Sequence, residues 1–280
     1  MCITRDEPAH LQELDTMRLN ESLDLKERKK HEAEYWRQYT RWQDILTRLG
    51  TAVVDVGKSD FWASVSAALD SHWSSTPLAK VEQLVCLCLG SIQDHASVNQ
   101  LALLLLLSEK LGIGHEHCFV FDPCHSTDER CILEHLGFSY MQNNSEGGVH
   151  VDRMTLFYMP HGDYQLTDNL VWANRGSLYK VAVLGNRFSW VCDPGNDNGC
   201  AQHAVAKTRA PQVQKVLTLI KETHLPDTFT VNIKKHLASL TPKASQIFGD
   251  RLGSHLDCTL TTFPPSTEWE RAAMPFLCSL

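Results

Sequence analysis

Four apolar runs in this 280-residue chain end in residues whose types could do chemistry. Gly90 and Ser91 follow LVCLCL, Asp122 and Pro123 follow CFVF, His161 and Gly162 follow MTLFYMP, and Gly185 and Asn186 follow YKVAVL. An aspartate in the position of Asp122 can accept hydrogen bonds from ribose hydroxyls, or it can tether its own DPCHS turn. An imidazole directly after Pro160 can act as general base, metal ligand or hydrogen-bond donor, or can be tied to a backbone carbonyl of the turn. Asn174 and Asn186 each precede an arginine and could bind a ligand or form side-chain-to-backbone turn bonds. Glu146, in the polar stretch NNSEGG, could reach the same region. The candidate ligand contacts are therefore Gly90, Ser91, Asp122, His161, Asn174 and Asn186. His161 and Glu146 are the candidates for proton transfer.

Several more specific chemistries fail on spacing. The segment LGSIQDHASVNQ has one glycine where a pyrophosphate-binding turn needs three, although the distance from Gly90 to Asp122, longer than the usual ~20 residues, still admits Asp122 on a ribose. AVVDVGKS (residues 52–59) loosely matches a P-loop, but its β-branched run is too stiff to wrap a phosphate. No serine or cysteine sits in a G-x-S-x-G elbow. His115, His117, Cys118, Cys124 and His125 are close in sequence, yet match neither a zinc ribbon nor H-E-x-x-H, so no metal site is assigned.

The elements that must position these residues follow from hydrophobic periodicity. LVCLCLG is a continuous apolar run ending in glycine, as expected for a buried parallel strand. A helix is expected over residues 95–111, closed by Gly112, then a strand over 118–123. Ser126 and Glu129 form a capping box for a helix ending at Gly137, followed by the short strand FSYM. After the strand MTLFYMP, Asp163 should cap a helix with Gly176 just past its end. YKVAVLGN is the fifth strand, and Pro211 opens a helix with Val213, Val216, Leu217 and Ile220 on one stripe. Residues 229–233 and 258–263 are further strand candidates, and residues 193–211 read as a surface loop. Strands alternating with helices imply right-handed βαβ crossovers and a mostly parallel sheet. The expected fold is α/β, a Rossmann-like doubly wound sheet. Ligands of such sheets bind beyond the carboxyl ends of the strands, where the four polar endings gather.

Residues 1–76 differ and form an expected N-terminal helical extension to an α/β domain over 77–280. Tyr35, Tyr39, Trp42, Leu46 and Leu49 recur at helical spacing beside the basic KERKKHE, and a second helix is expected over 60–72. The basic stretch reads as a solvated helix face, and the alternative is a helix that docks a protein partner or covers the main domain. Apolar residues make up 43% and charged residues 21%, as in a core-forming globular protein. The net charge of −7 argues against nucleic-acid binding. The longest apolar run, residues 101–107, is far short of the ~20 residues that span a bilayer. No secretory leader is evident, so the ten cysteines are expected as reduced, mostly buried thiols in a cytosolic or nuclear protein, and the sequons at Asn20 and Asn143 carry little weight.

Five blocks together resemble the Sensitivity-to-Red-light-Reduced (SRR-like) family: VCLCLGSIQDHASVNQLALLLLL, VFDPCHSTDERCILEHLGF, NNSEGG, TLFYMPHGDYQLTDNLVWANRG and VAVLGNRFSW. The resemblance covers residues 84–190. It departs at Gly162, where the family commonly has cysteine, and at Arg187, where it commonly has serine. The resemblance implies a cytoplasmic, and also nuclear, regulator of circadian-clock input, with a vertebrate link to regulation of haem biosynthesis. The expected function is regulatory, with catalysis leaning to no. The alternative is a methyltransferase-like enzyme that uses S-adenosylmethionine or a nucleotide. S-adenosylmethionine, nucleotides and haem are the ligands to test.

Overall fold

The structure, a computed structural model, describes residues 9–75, 80–160, 162–189, 210–225 and 258–264. Three helices come first: α1 (Ala9–Arg18), α2 (Leu25–Gly57) and α3 (Asp60–Ser75). Then follow β1 (Gln83–Leu87), α4 (His95–Leu111), β2 (Cys118–Phe121), α5 (Thr127–His135), β3 (Ser139–Tyr140), β4 (Thr155–Met159), α6 (Tyr164–Ala173), β5 (Val181–Asn186), α7 (Pro211–Val216), β6 (Lys221–His224) and β7 (Cys258–Thr262). The seven strands form one sheet in the order β3-β2-β1-β4-β5-β7-β6. Strands β1 to β5 pair in parallel, and β7 runs antiparallel to both β5 and β6. The doubly wound α/β fold is as the sequence predicts.

Strand alternation divides the interior into two faces. Leu84, Cys86, Val120, Leu156 and Tyr158 join α4, α5 and the N-terminal helices in one core, whereas Val85, Leu87, Phe157, Met159 and Val183 pack with α6 and α7 in the other. The crossovers from β1 to β2 and from β2 to β3 thus lie on one face, and that from β4 to β5 on the opposite face. The switch between faces falls between β1 and β4, the position at which doubly wound sheets open a crevice.

The long helix α2 buries Tyr35, Trp42, Ile45, Leu49, Ala52 and Val56, continuing the predicted stripe by two turns. These side chains share one core with Leu101 and Leu104 of α4. Arg48 donates to the Gln93 carbonyl at 2.8 Å and Arg41 pairs with Asp128 at 3.1 Å, so α2 also touches the loop beyond β1 and the first turn of α5. The P-loop-like segment lies inside and at the end of α2, where its N–H groups belong to the helix ladder.

Other predicted boundaries hold or move for identifiable reasons. Gly112 closes α4 with φ +64°, and the Ser126–Glu129 capping box is present. Asn174, not Gly176, ends α6. The helix from Pro211 stops at Val216, and the four polar residues KETH then form β6. The strand candidate at 229–233 and most of the loop at 193–211 lie outside the described residues.

Candidate functional site

The loop after β1 is clasped by the loop after β2. Gly90 adopts φ +77°, and the carboxylate of Asp122 takes its N–H through Oδ2 at 2.8 Å. Oδ1 of the same carboxylate accepts from the Cys124 N–H at 2.9 Å. His125 Nε2 lies 2.9 Å from the Gly90 carbonyl, which can only accept, so this nitrogen carries the proton. Nδ1 faces the Tyr140 hydroxyl at 3.2 Å, and that hydroxyl donates to the Asp122 carbonyl at 3.0 Å. Ser91 Oγ donates to Glu129 Oε1 at 2.6 Å, while Glu129 Oε2 accepts from the Ser126 N–H at 2.7 Å. Asp122, His125 and Glu129 are all buried.

Burial drives the carboxyl pKa of Asp122 upward, but donation from Cys124 and Gly90 and the nearby His125 outweigh it, holding the group below its ordinary value. Glu129 follows the same pattern, with burial opposed by Ser91 and Ser126. For His125 burial dominates over Gly90, Asp122 and Glu129, and its pKa is lowered. Burial raises the thiols of Cys88 and Cys124 to about 12, with the Asp122 carboxylate adding to both. Neither thiol is a thiolate nucleophile at neutral pH.

The ends of β4 and β5 are clasped in a similar manner. Asn186 Nδ2 donates to the Gly162 carbonyl at 2.9 Å. Asp163 accepts from the Leu166 N–H at 2.8 Å, capping α6 as predicted. Glu222 of β6 accepts from the N–H groups of Phe188 and Ser189 just beyond β5. A Cβ at Gly162 would lie 2.9 Å from Met159 Cε and 3.1 Å from Met159 Cβ, so a cysteine there would require Met159 to shift. Arg187 is half-buried beside Asn186.

The structure brings Gly90, Ser91 and Asp122 into one bonded cluster and ties Asn186 to the β4 turn. His161 lies outside the described residues. Asn174 is separated from them at the far end of α6, about 15 Å along the helix from the strand ends. Its fully buried amide accepts from the Val151 N–H at 2.9 Å and donates to the carbonyls of Val149 at 2.8 Å and Leu170 at 3.0 Å. Glu146 is exposed and left-handed, with φ +49°. Its carbonyl accepts from Asn169 Nδ2 at 2.8 Å, and the adjoining Gly147 lies so close to the Leu166 carbonyl that a Cβ would come within 2.3 Å. The suggested metal candidates disperse: His115 bonds the Leu136 carbonyl and stacks on Phe138, His117 is exposed and Cys118 is buried. No cluster of three metal-ligating side chains occurs among the described residues. No described helix is long and apolar enough to cross a membrane.

The clasp residues His125, Tyr140 and Glu129 carry no sequence signal for contact with Gly90 or Ser91. The capping box marked Glu129, but only for its role in its own helix.

Residues 64–270 match the family model described as SRR1 domain, which includes the strands and loops of both clasps. The chain belongs to the SRR1 domain family. Among curated relatives, it is 37% identical over 122 residues to the "SRR1-like protein" of Mus musculus, covering 41% of this chain and 49% of that protein. It is 35% identical over 109 residues to the "Protein SENSITIVITY TO RED LIGHT REDUCED 1" of Arabidopsis thaliana, covering 38% and 40%. To the "SRR1-like protein" of Drosophila melanogaster it is 26% identical over 144 residues, covering 50% and 51%. The chain thus spans about half the length, or less, of the curated relatives it matches. No solved structure matches it. Within this SRR1 domain, the side chains of the strand-end loops mainly bond one another's backbone.

Proposed function

We propose that this SRR1-domain protein is a regulator of light or circadian-clock input, acting through a small-molecule crevice at the strand ends and through protein partners bound by its N-terminal helices. The name of the Arabidopsis relative supports the link to light response. Regulation of haem biosynthesis, and residence in the cytoplasm with a nuclear pool, belong to the same proposal. The observation that carries a binding role over a phosphate-transfer role is the occupation of Gly90 N–H by Asp122 Oδ2. In nucleotide-binding sheets, the N–H groups of this first loop receive the pyrophosphate.

The second reading, an S-adenosylmethionine-using enzyme, draws support from Asp122 at the end of β2 and from the one reversed strand, β7, set between β5 and β6. It rests on fold-level analogy. Depletion of the protein in cells carrying a rhythm reporter tests the regulatory reading. A change in period or amplitude rescued by the wild-type chain is expected, and an unaltered rhythm contradicts it. Thermal shift with S-adenosylmethionine, adenine and nicotinamide nucleotides and haem separates the ligand classes, because a ligand of the native state raises the melting temperature by mass action.

A further inference from the structure

The connection from β3 to β4, residues 141–154, contains no helix, although it crosses to the other face of the sheet. It runs alongside α6 as an irregular segment with a turn at Glu146–Gly147, pinned by Asn169 and Asn174. Phe119 and Phe121 of β2 consequently remain half-buried on that face, together with Cys88, Met141, Val149, Tyr164 and Leu166. This apolar shelf lies over β2 beside β1 and borders the switch between β1 and β4, where doubly wound sheets receive ligands.

Two further features mark the shelf. Among the described residues, Cys88 (φ +63°) and Glu146 (φ +49°) are the non-glycine residues held in left-handed backbone. Both neighbour the first turn of α6: Cys88 feels the charge of Asp163, and the Gly147 that follows Glu146 abuts Leu166. Strain of this kind persists where the surroundings fix it, and it gathers at ligand clamps. At its α6 edge the charged groups named here are carboxylates, whereas Arg130 lies on the far side of Phe121, over the Tyr140 ring. Asp163 and Glu146 are exposed, Asp122 lies behind them, and the nearest loop N–H groups are taken by carboxylates at Gly90 and Leu166.

We propose that this shelf binds a flat aromatic ligand bearing a cationic or hydrogen-donating group, and that it rejects anionic ligands such as phosphate esters. The ring would lie against Phe119, Phe121, Met141 and Tyr164, with its donor group toward Asp163 and Glu146. Apolar area supplies affinity and the carboxylates supply orientation and selection of charge. This inference rests on the crevice in the proposed function and assigns its ligand class.

The test uses three indole probes on the full chain: tryptamine as cation, indole as neutral ring and indole-3-acetate as anion. Amide chemical shifts of Cys88, Tyr164 and Glu146 are followed during titration. Tryptamine is expected to saturate these shifts at a dissociation constant at least about fivefold below that of indole-3-acetate, the scale of a screened ion-pair preference. The preference should shrink at high salt and fall to near unity in Glu146→Gln/Asp163→Asn, which keeps an N-cap for α6. Equal or tighter binding of indole-3-acetate at the same amides would overturn the ligand class and leave the crevice standing. Absence of shifts at these amides with all three probes would overturn the crevice itself. The salt series on the unsubstituted chain decides the charge preference even where the double variant folds poorly.

Discussion

Removal of the Asp122 carboxylate leaves two backbone donors, Gly90 and Cys124, without their acceptor near a buried site. Asp122→Ala is expected to destabilise the fold by about 2–3 kcal/mol, the range for charged hydrogen bonds that leave buried partners unsatisfied. Urea unfolding measures it, and a loss within a few tenths of the unsubstituted protein would refute the clasp. The pH dependence follows from the same residues. Asp122 and Glu129 have folded pKa values below their ordinary values of 3.8 and 4.5, so their stabilisation is present above those values and is lost as pH falls through the folded values. His125 is lowered from 6.5, so the unfolded chain takes up its proton first and stability begins to fall as pH drops below 6.5. The urea midpoint should therefore decline in two stages on acidification, and His125→Gln should shrink the upper one, leaving the part that belongs to His72, which burial also lowers from 6.5. At this scale the sequence made the positions legible but not the partners. Asp122 and Gly90 are 32 residues apart, and no local pattern encodes their bond. The left-handed backbone of Cys88 gave no signal either, because cysteine carries none of glycine's preference for it.

Among the elements, those with a strong apolar period were the readable ones. The strand runs, α4 with its glycine cap and α5 with its capping box all follow from local rules. β6 was unreadable because KETH is polar and lies at the sheet edge, where no apolar alternation is required. Asn174 has the sequence signature of a ligand candidate because the partners of its buried amide, residues 149 and 151, lie in a loop distant in sequence. The helix-free crossover depends on that side chain. Asn174→Ala is expected to lower stability by about 2–3 kcal/mol through unsatisfied backbone groups, and to speed hydrogen exchange of the Val151 amide. Unchanged exchange at Val151 would show that the crossover is held by other contacts.

For the whole molecule, the N-terminal helices complete one face of the core rather than merely adjoining it. Trp42, Ile45 and Leu49 are essentially inaccessible and pack in the same cluster as Leu84 and Leu101. Trp42→Ala is expected to lower stability by about 3–5 kcal/mol, as large-to-small substitutions of buried aromatics do. A loss below roughly 1 kcal/mol would mean that α2 can leave without disturbing the sheet. The β1 loop, which receives phosphate in doubly wound nucleotide-binding sheets, is held here by the protein's own carboxylate. Titration of ATP into the full chain while the Gly90 amide resonance is recorded tests it most directly. This resonance is expected to stay in place at saturating ATP. A saturable displacement of Gly90, with loss of its bond to Asp122, would contradict it.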